Sequence, residues 1–279
     1  MRFIISLITV LSCSSAWAHS KKIDVVVSFS ILQDLVQKVG GDKVSVVSLV
    51  GYDQDAHVYE PTPAALKNIK SSQIVVSNGL GMEGWMSRLI KSSGFKGINC
   101  VATAGIQSKD PHAWQSLKNI PVYLSNIEKA LSQASPGDAE FFKSNRLNYE
   151  KEISELAEWA KLQFAEIPVQ KRKILTSHDA FQFFARDFEL TILSPQGWTT
   201  ESDPTAKVMA DLIRQIKKSD IRALFLENMT NPKITQQIAK ESGVSVGGVL
   251  YADSLSKKAD SFVAMYRHNV EEVSKALKK

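Results

Sequence analysis

The sequence is poor in several features that would fix a protein's class. Of 279 residues only two are cysteine, Cys13 and Cys100, too few for a disulfide framework. Glycine and proline number 14 and 9, which excludes a collagen-like or low-complexity chain. No apolar run approaches the ~20 residues that a membrane-spanning helix needs. Lys and Arg exceed Asp and Glu by 34 to 29. No window, however, carries the basic block with interleaved aromatics of a nucleic-acid surface. No nucleic-acid partner is expected, and the basic excess reads as solvated surface. Histidine is scarce too, with five residues. What remains is ordinary globular composition, 44% hydrophobic and 23% charged, in a chain long enough for about two lobes.

The first residues form a targeting signal. Arg2 gives a positive start, Phe3 to Leu11 is apolar, and Ala16-Trp17-Ala18 offers small residues to a signal peptidase. Residues 1–18 are expected to be removed, leaving His19 at the start of an exported, periplasmic chain. Val10-Leu11-Ser12-Cys13 loosely resembles a lipoprotein cleavage site. The cleaner small-residue site favours cleavage after Ala18 over lipidation of Cys13. Cys100, in the apolar run Ile98–Ala102, is expected to be a buried, inert thiol.

Strand-like and helix-like segments then alternate, which implies α/β lobes with mostly parallel sheets covered by helices. Strands are expected at 24–29, 43–50, 73–77 and 98–102, with helices at 31–39, 63–71 and 82–91. From Asp138 to about Glu166 the rhythm breaks. This stretch has no Gly or Pro, and Phe142, Tyr149, Ile153, Leu156 and Ala160 make one apolar stripe. It reads as a single helix joining two lobes. Alternation resumes with strands at 173–176, 191–193, 222–226 and 244–251 and helices at 180–187, 205–217, 233–241 and 261–277. The expected organisation is therefore a lobe over 19–137, a connecting helix over 138–167 and a second lobe over 168–279.

Three of the histidines share a topological position. His57, His112 and His178 each follow an expected strand, and so does Asp253. Ligands of open α/β sheets bind outside the carboxyl ends of strands. Two of these residues come from each lobe, so they can meet only in the cleft between lobes. Three imidazoles and a carboxylate are a full tetrahedral set for Zn²⁺. No local ligand spacing such as H-E-x-x-H reinforces the set, and His268, beside Arg267 in the last helix, reads as solvated.

The flanking residues carry a resemblance. They are Asp55-Ala56-His57-Val58-Tyr59-Glu60-Pro61, Asn78-Gly79-Leu80-Gly81-Met82-Glu83-Gly84-Trp85, Asp110-Pro111-His112-Ala113-Trp114, Thr176-Ser177-His178-Asp179-Ala180-Phe181 and Glu201-Ser202-Asp203-Pro204-Thr205. In this order, over nearly the whole mature chain, they resemble the zinc- and manganese-type solute-binding proteins of bacterial ABC transporters. The resemblance implies two lobes on a rigid long helix and one metal between them, held by His57, His112, His178 and Asp253. It also implies delivery to a membrane permease. Loading by a periplasmic metallochaperone and action as a monomer are further expectations. Glu227 ends a strand at the cleft and reads as a cap or a partner behind a ligand. Asp55, Glu60 and Asp179 could orient imidazoles, and Tyr59, Trp85 and Trp114 read as packing.

Two features bear on the metal. The stretch Gly105–Lys109 lacks the long His-rich loop of many zinc-type relatives. His178 stands where manganese-type relatives often have a carboxylate. Three nitrogens and one oxygen favour Zn²⁺, with Mn²⁺ or Fe²⁺ as alternatives. A zinc hydrolase would need an open coordination position, which four protein ligands do not leave. An adhesin-like surface protein and a cobalamin or siderophore binder are weaker readings, and the last does not need three His at strand ends.

Overall fold

The computed structural model describes residues 21–278. The expected signal segment, with Cys13 and His19, lies outside them. The first lobe holds β1 (Ile23–Phe29), α1 (Ser30–Gly40), β2 (Val44–Val50), α2 (Pro63–Ser71), β3 (Ile74–Ser77), α3 (Met86–Ser93), β4 (Ile98–Val101) and α4 (Ile120–Ala134). Then comes α5 (Ala139–Ala165). The second lobe holds β5 (Lys173–Leu175), α6 (Gln182–Phe188), β6 (Thr191–Leu193), α7 (Ala206–Lys218), β7 (Ala223–Glu227), α8 (Pro232–Ser242), β8 (Val246–Leu250) and α9 (Phe262–Leu277).

The two sheets have strand orders β2-β1-β3-β4 and β6-β5-β7-β8. These are one topology used twice, and every pairing between these strands is parallel. The central strand β1 reads IDVVVSF and is buried on both faces but for Asp24, as a strand sandwiched between helix layers must be. Parallel strands put all their carboxyl ends on one edge. The two such edges face each other across the cleft.

Local chemistry sets the helix ends. Thr62 caps α2 by accepting from the Ala65 amide, and Pro63 occupies the first turn. α3 starts four residues later than the sequence suggests. Gly79, Leu80 and Gly81 all take positive φ, so the chain turns before it can coil. No element is expected from sequence between His112 and Ser135, yet the 15-residue α4 lies there. Its buried Ile120, Tyr123, Leu124, Ile127 and Leu131 recur at three and four.

The 27-residue α5 is unbroken and roughly 40 Å long at 1.5 Å per residue. It packs on α1 and α4 of the first lobe and on α9 of the second. Its stripe of Phe142, Tyr149, Ile153, Leu156, Ala160 and Phe164 is buried. One hydrophobic core runs from β1 through this stripe to α9, and a smaller cluster sits under α7 and α8. Arg172 fixes the far end of α5. Its guanidinium donates to the carbonyls of Phe164, Ile167 and Phe188.

Candidate metal centre

His57 stands on the loop after β2, His112 on the loop after β4, His178 three residues beyond β5 and Asp253 three residues beyond β8. The structure brings all four together, with one donor atom from each inside a 4.8 Å cluster. Asp253 Oδ2 lies 3.3 Å from His57 Nε2 and 3.2 Å from His178 Nε2. Asp253 Oδ1 lies 3.6 Å from His112 Nε2, and the Nε2 atoms of His57 and His112 are 3.4 Å apart. Donors about 2.0–2.1 Å from a common tetrahedral centre lie about 3.4 Å from one another. Three separations among Asp253 Oδ2, His57 Nε2, His178 Nε2 and His112 Nε2, at 3.2–3.4 Å, have that size, and the whole set closes within 4.8 Å. His268 is elsewhere, bonded to the Val249 carbonyl at 2.8 Å.

The donors are buried and underused. His112, His178 and Asp253 have no exposed surface and His57 keeps 6%. Among the described residues His178 Nε2 and both Asp253 oxygens make no hydrogen bond of good geometry. A buried carboxylate surrounded only by ring nitrogens at 3.2–3.6 Å is poorly satisfied, and a cation at the centre would take up its oxygens. Two imidazoles are oriented from behind. His112 Nδ1 donates to Asp110 Oδ1 at 2.7 Å, and His178 Nδ1 donates to Glu227 Oε2. Each bond keeps a proton on Nδ1 and turns Nε2 inward, where its lone pair serves a metal once any second proton has left. Burial alone would keep His178 neutral, but Glu227 and Asp253 outweigh it and hold the ring's pKa well above its ordinary value. Burial likewise opposes ionisation of Asp253, yet the His178 and His112 rings hold its carboxyl well below the usual range.

Each donor is also pinned through a neighbouring peptide. The Trp85 indole donates to the Ala56 carbonyl at 2.8 Å, beside His57. The Asn78 amide donates to the Pro111 carbonyl at 2.9 Å, beside His112. Asn78 is itself held by the Tyr123 hydroxyl at 2.7 Å and by Glu83, which accepts its backbone N–H at 2.7 Å. Trp114 and Gln115 both donate across the cleft to the Ala252 carbonyl, at 3.0 and 2.9 Å, beside Asp253. Glu227 Oε1 accepts the His178 amide at 3.0 Å. The segment from Asn78 to Trp85 therefore buttresses both first-lobe donors.

Glu227 stands behind His178, as the sequence suggests. Asp55 accepts the His57 backbone N–H at 2.8 Å and meets the Thr200 hydroxyl, so it shapes the loop without touching a ring. Asp179 accepts from Gln182 at 2.6 Å and Glu60 is exposed, and neither orients an imidazole. The carboxylate that does so in the first lobe is Asp110. Sequence reasoning passed over it, although its place two residues before His112 was the available signal. Trp114 is fully buried, 5.3 Å from the His112 ring and 5.2 Å from that of Phe29. Tyr59 packs 4.7 Å from Trp85. These aromatics pack around the cleft, and the two indoles also hold the peptides beside His57 and Asp253.

Comparison with known proteins now decides the family. The family described as zinc-uptake complex component A, periplasmic, matches residues 25–276. The chain belongs to this family. A manganese ABC transporter substrate-binding lipoprotein, PsaA of Streptococcus pneumoniae, is 28% identical over 99% of this chain and 97% of its own. The manganese-binding lipoprotein MntA of Bacillus subtilis is 30% identical over 95% and 93%. The periplasmic zinc binding protein TroA of Treponema pallidum shares the fold, with a TM-score of 0.88 and 22% identity over 92% of this chain and 99% of that one. A manganese-bound mutant of a periplasmic metal binding protein of Candidatus Liberibacter asiaticus superposes at a TM-score of 0.85, with 30% identity over 92% of this chain and 100% of that one. This member of the zinc-uptake family is a substrate-binding protein of a metal ABC transporter and not an enzyme. Its ligand is a divalent metal, and its partners are a membrane permease and the transporter's ATPase.

Proposed function

We propose that the chain captures one Zn²⁺ outside the cytoplasm at His57, His112, His178 and Asp253 and hands it to the permease. The observation that carries this reading is the set of buried donors, three imidazole nitrogens and one carboxylate, which all lie within 4.8 Å of one another. A cluster of that size and donor count suits a four-coordinate ion. Nitrogen-rich tetrahedral sites favour zinc, while manganese prefers more oxygen ligands and six-coordination. Relatives named for manganese keep Mn²⁺ as the second reading, with Fe²⁺ behind it. All four donors come from one chain, so a monomer suffices.

The relatives do not support the preference for cleavage after Ala18, because several are named lipoproteins. The intact mass of the mature protein separates a chain starting at His19 from one starting at a lipidated Cys13.

Elemental analysis of protein purified from its own compartment, without added metal, tests the cargo. One zinc per chain is expected. Manganese or iron in its place would overturn the choice of metal. A stoichiometry of two would overturn the single site. His112→Ala should abolish retention of the ion, whereas His268→Ala should leave it unchanged.

A further inference from the structure

Residues 61–109 contain six Lys and Arg and a single acid, Glu83, so this stretch alone carries the +5 net charge of the whole chain. Glu83 is buried and occupied by the Ser28 hydroxyl and the Asn78 backbone N–H. All six bases are exposed. Among the described residues none of them pairs with a carboxylate.

The fold gathers four of these bases on one surface. β1 lies between β2 and β3, so the crossovers β2–α2–β3 and β3–α3–β4 run across the sheet opposite to β1–α1–β2. Right-handed connection then places α2 and α3 together on the face away from α1. They pack on each other, while α4 and α5 pack with α1. α2 buries Ala65 and Ile69, and α3 buries Met86 and Leu89. Lys67 and Lys70 are left outside on one helix, Arg88 and Lys91 on the other. Each pair is spaced i,i+3, where like charges repel.

The fold does not require such a pattern. On α5 the bases have acidic neighbours: Lys143–Glu140, Arg146–Glu150, Lys151–Glu155 and Lys161–Glu158. The α2–α3 surface also presents no exposed large apolar side chain. A stable protein interface needs an apolar centre, and single-stranded nucleic acid needs aromatic platforms. A cationic array with neither fits a delocalised anionic surface.

We infer that the α2–α3 face of the first lobe is a docking surface for anionic phospholipid headgroups of the membrane that houses the permease. It would keep the protein, loaded or empty, in a shallow layer beside its transporter. Each base near such a surface strengthens association about fivefold, and salt screens the attraction. This inference goes beyond the metal-binding reading and does not depend on which ion is bound.

Vesicle co-sedimentation of the mature, zinc-loaded protein tests it. The vesicles are phosphatidylcholine alone or an equal mixture of phosphatidylcholine and phosphatidylglycerol. Whichever N-terminus the mature chain carries contributes to both vesicle types. The expected result is partitioning at least ~10-fold stronger on the mixed vesicles, lost in molar salt. The variant K67E/K70E/R88E/K91E should fall to the phosphatidylcholine level. A control with the same charge change elsewhere, K143E/K151E/K161E/K217E, should retain most of the binding. Metal stoichiometry is measured on every variant, so a failed metal site and a failed docking surface read out separately. If the charge-reversed protein does not fold, the glutamine set at the same four positions replaces it. Equal partitioning on both vesicles, or equal loss in both variants, overturns the proposal. So does loss of zinc transfer to permease in neutral-lipid proteoliposomes by the K67E/K70E/R88E/K91E variant but not by the control, because that places a protein on this face.

Discussion

At the residue scale the centre depends on what lies behind the donors. Asp110 and Glu227 each hold one imidazole in the tautomer that offers Nε2. Replacing such a partner typically weakens metal binding by about 10–100-fold. Glu227→Gln should therefore lower zinc affinity by that order while one zinc per chain still binds at saturation, as a chelator-competition titration would show. Affinity equal to that of the unaltered protein would contradict the orienting role.

The same cluster sets the response to pH. In the metal-free protein the His178 pKa lies above its unfolded value. Its contribution to stability is full below about 6.5 and is lost as pH rises through the folded value. The Asp253 pKa is depressed. Its contribution is present above about 3.9 and is lost as pH falls through the folded value. Zinc must displace the His178 proton, so binding strengthens as pH rises. Thermal melts should show a larger zinc-induced shift at neutral pH than near pH 5. An unchanged shift would argue against imidazole ligands.

At the element scale much was legible. Alternating β-branched runs and amphipathic segments fixed eight strands and the long α5, because periodicity and breakers are local signals. The donors could be read because they follow strands in the sequence itself. The strand order, the unassigned α4 and the Asp110 contact were harder. Each depends on packing between segments far apart in the chain, or, for α4, on a helix start at Pro121.

The loops also differ more than their sequences suggest. His57 and Asp253 both stand beyond their strands, yet residues 251–256 are wholly buried whereas 51–62 include exposed Tyr52, Val58 and Glu60. Asp253 is thus framed by core, and His57, whose loop faces water, is the donor we expect to leave first. Hydrogen exchange should show metal-dependent protection over residues 51–62 and little change over 251–256. The reverse pattern would refute this order.

At the scale of the whole molecule, the lobes share one hydrophobic core through α5 and α9. We propose that the mechanical units divide near residues 138 and 167, with α5 as a strut welded to both. α5 has no Gly or Pro to absorb a hinge motion. Small-angle scattering should give nearly the same radius of gyration with and without metal. A clear contraction on binding, of the kind seen in hinge closure, would contradict the strut.

The central claim is that His57, His112, His178 and Asp253 hold one ion between the lobes. Anomalous diffraction from crystals of the zinc-loaded protein, collected at the zinc edge, tests it most directly. The expected result is one strong peak per chain, about 2.0–2.2 Å from three Nε2 atoms and one Asp253 oxygen. A peak elsewhere, or one bonded to Glu227 or to water in place of Asp253, would contradict the account.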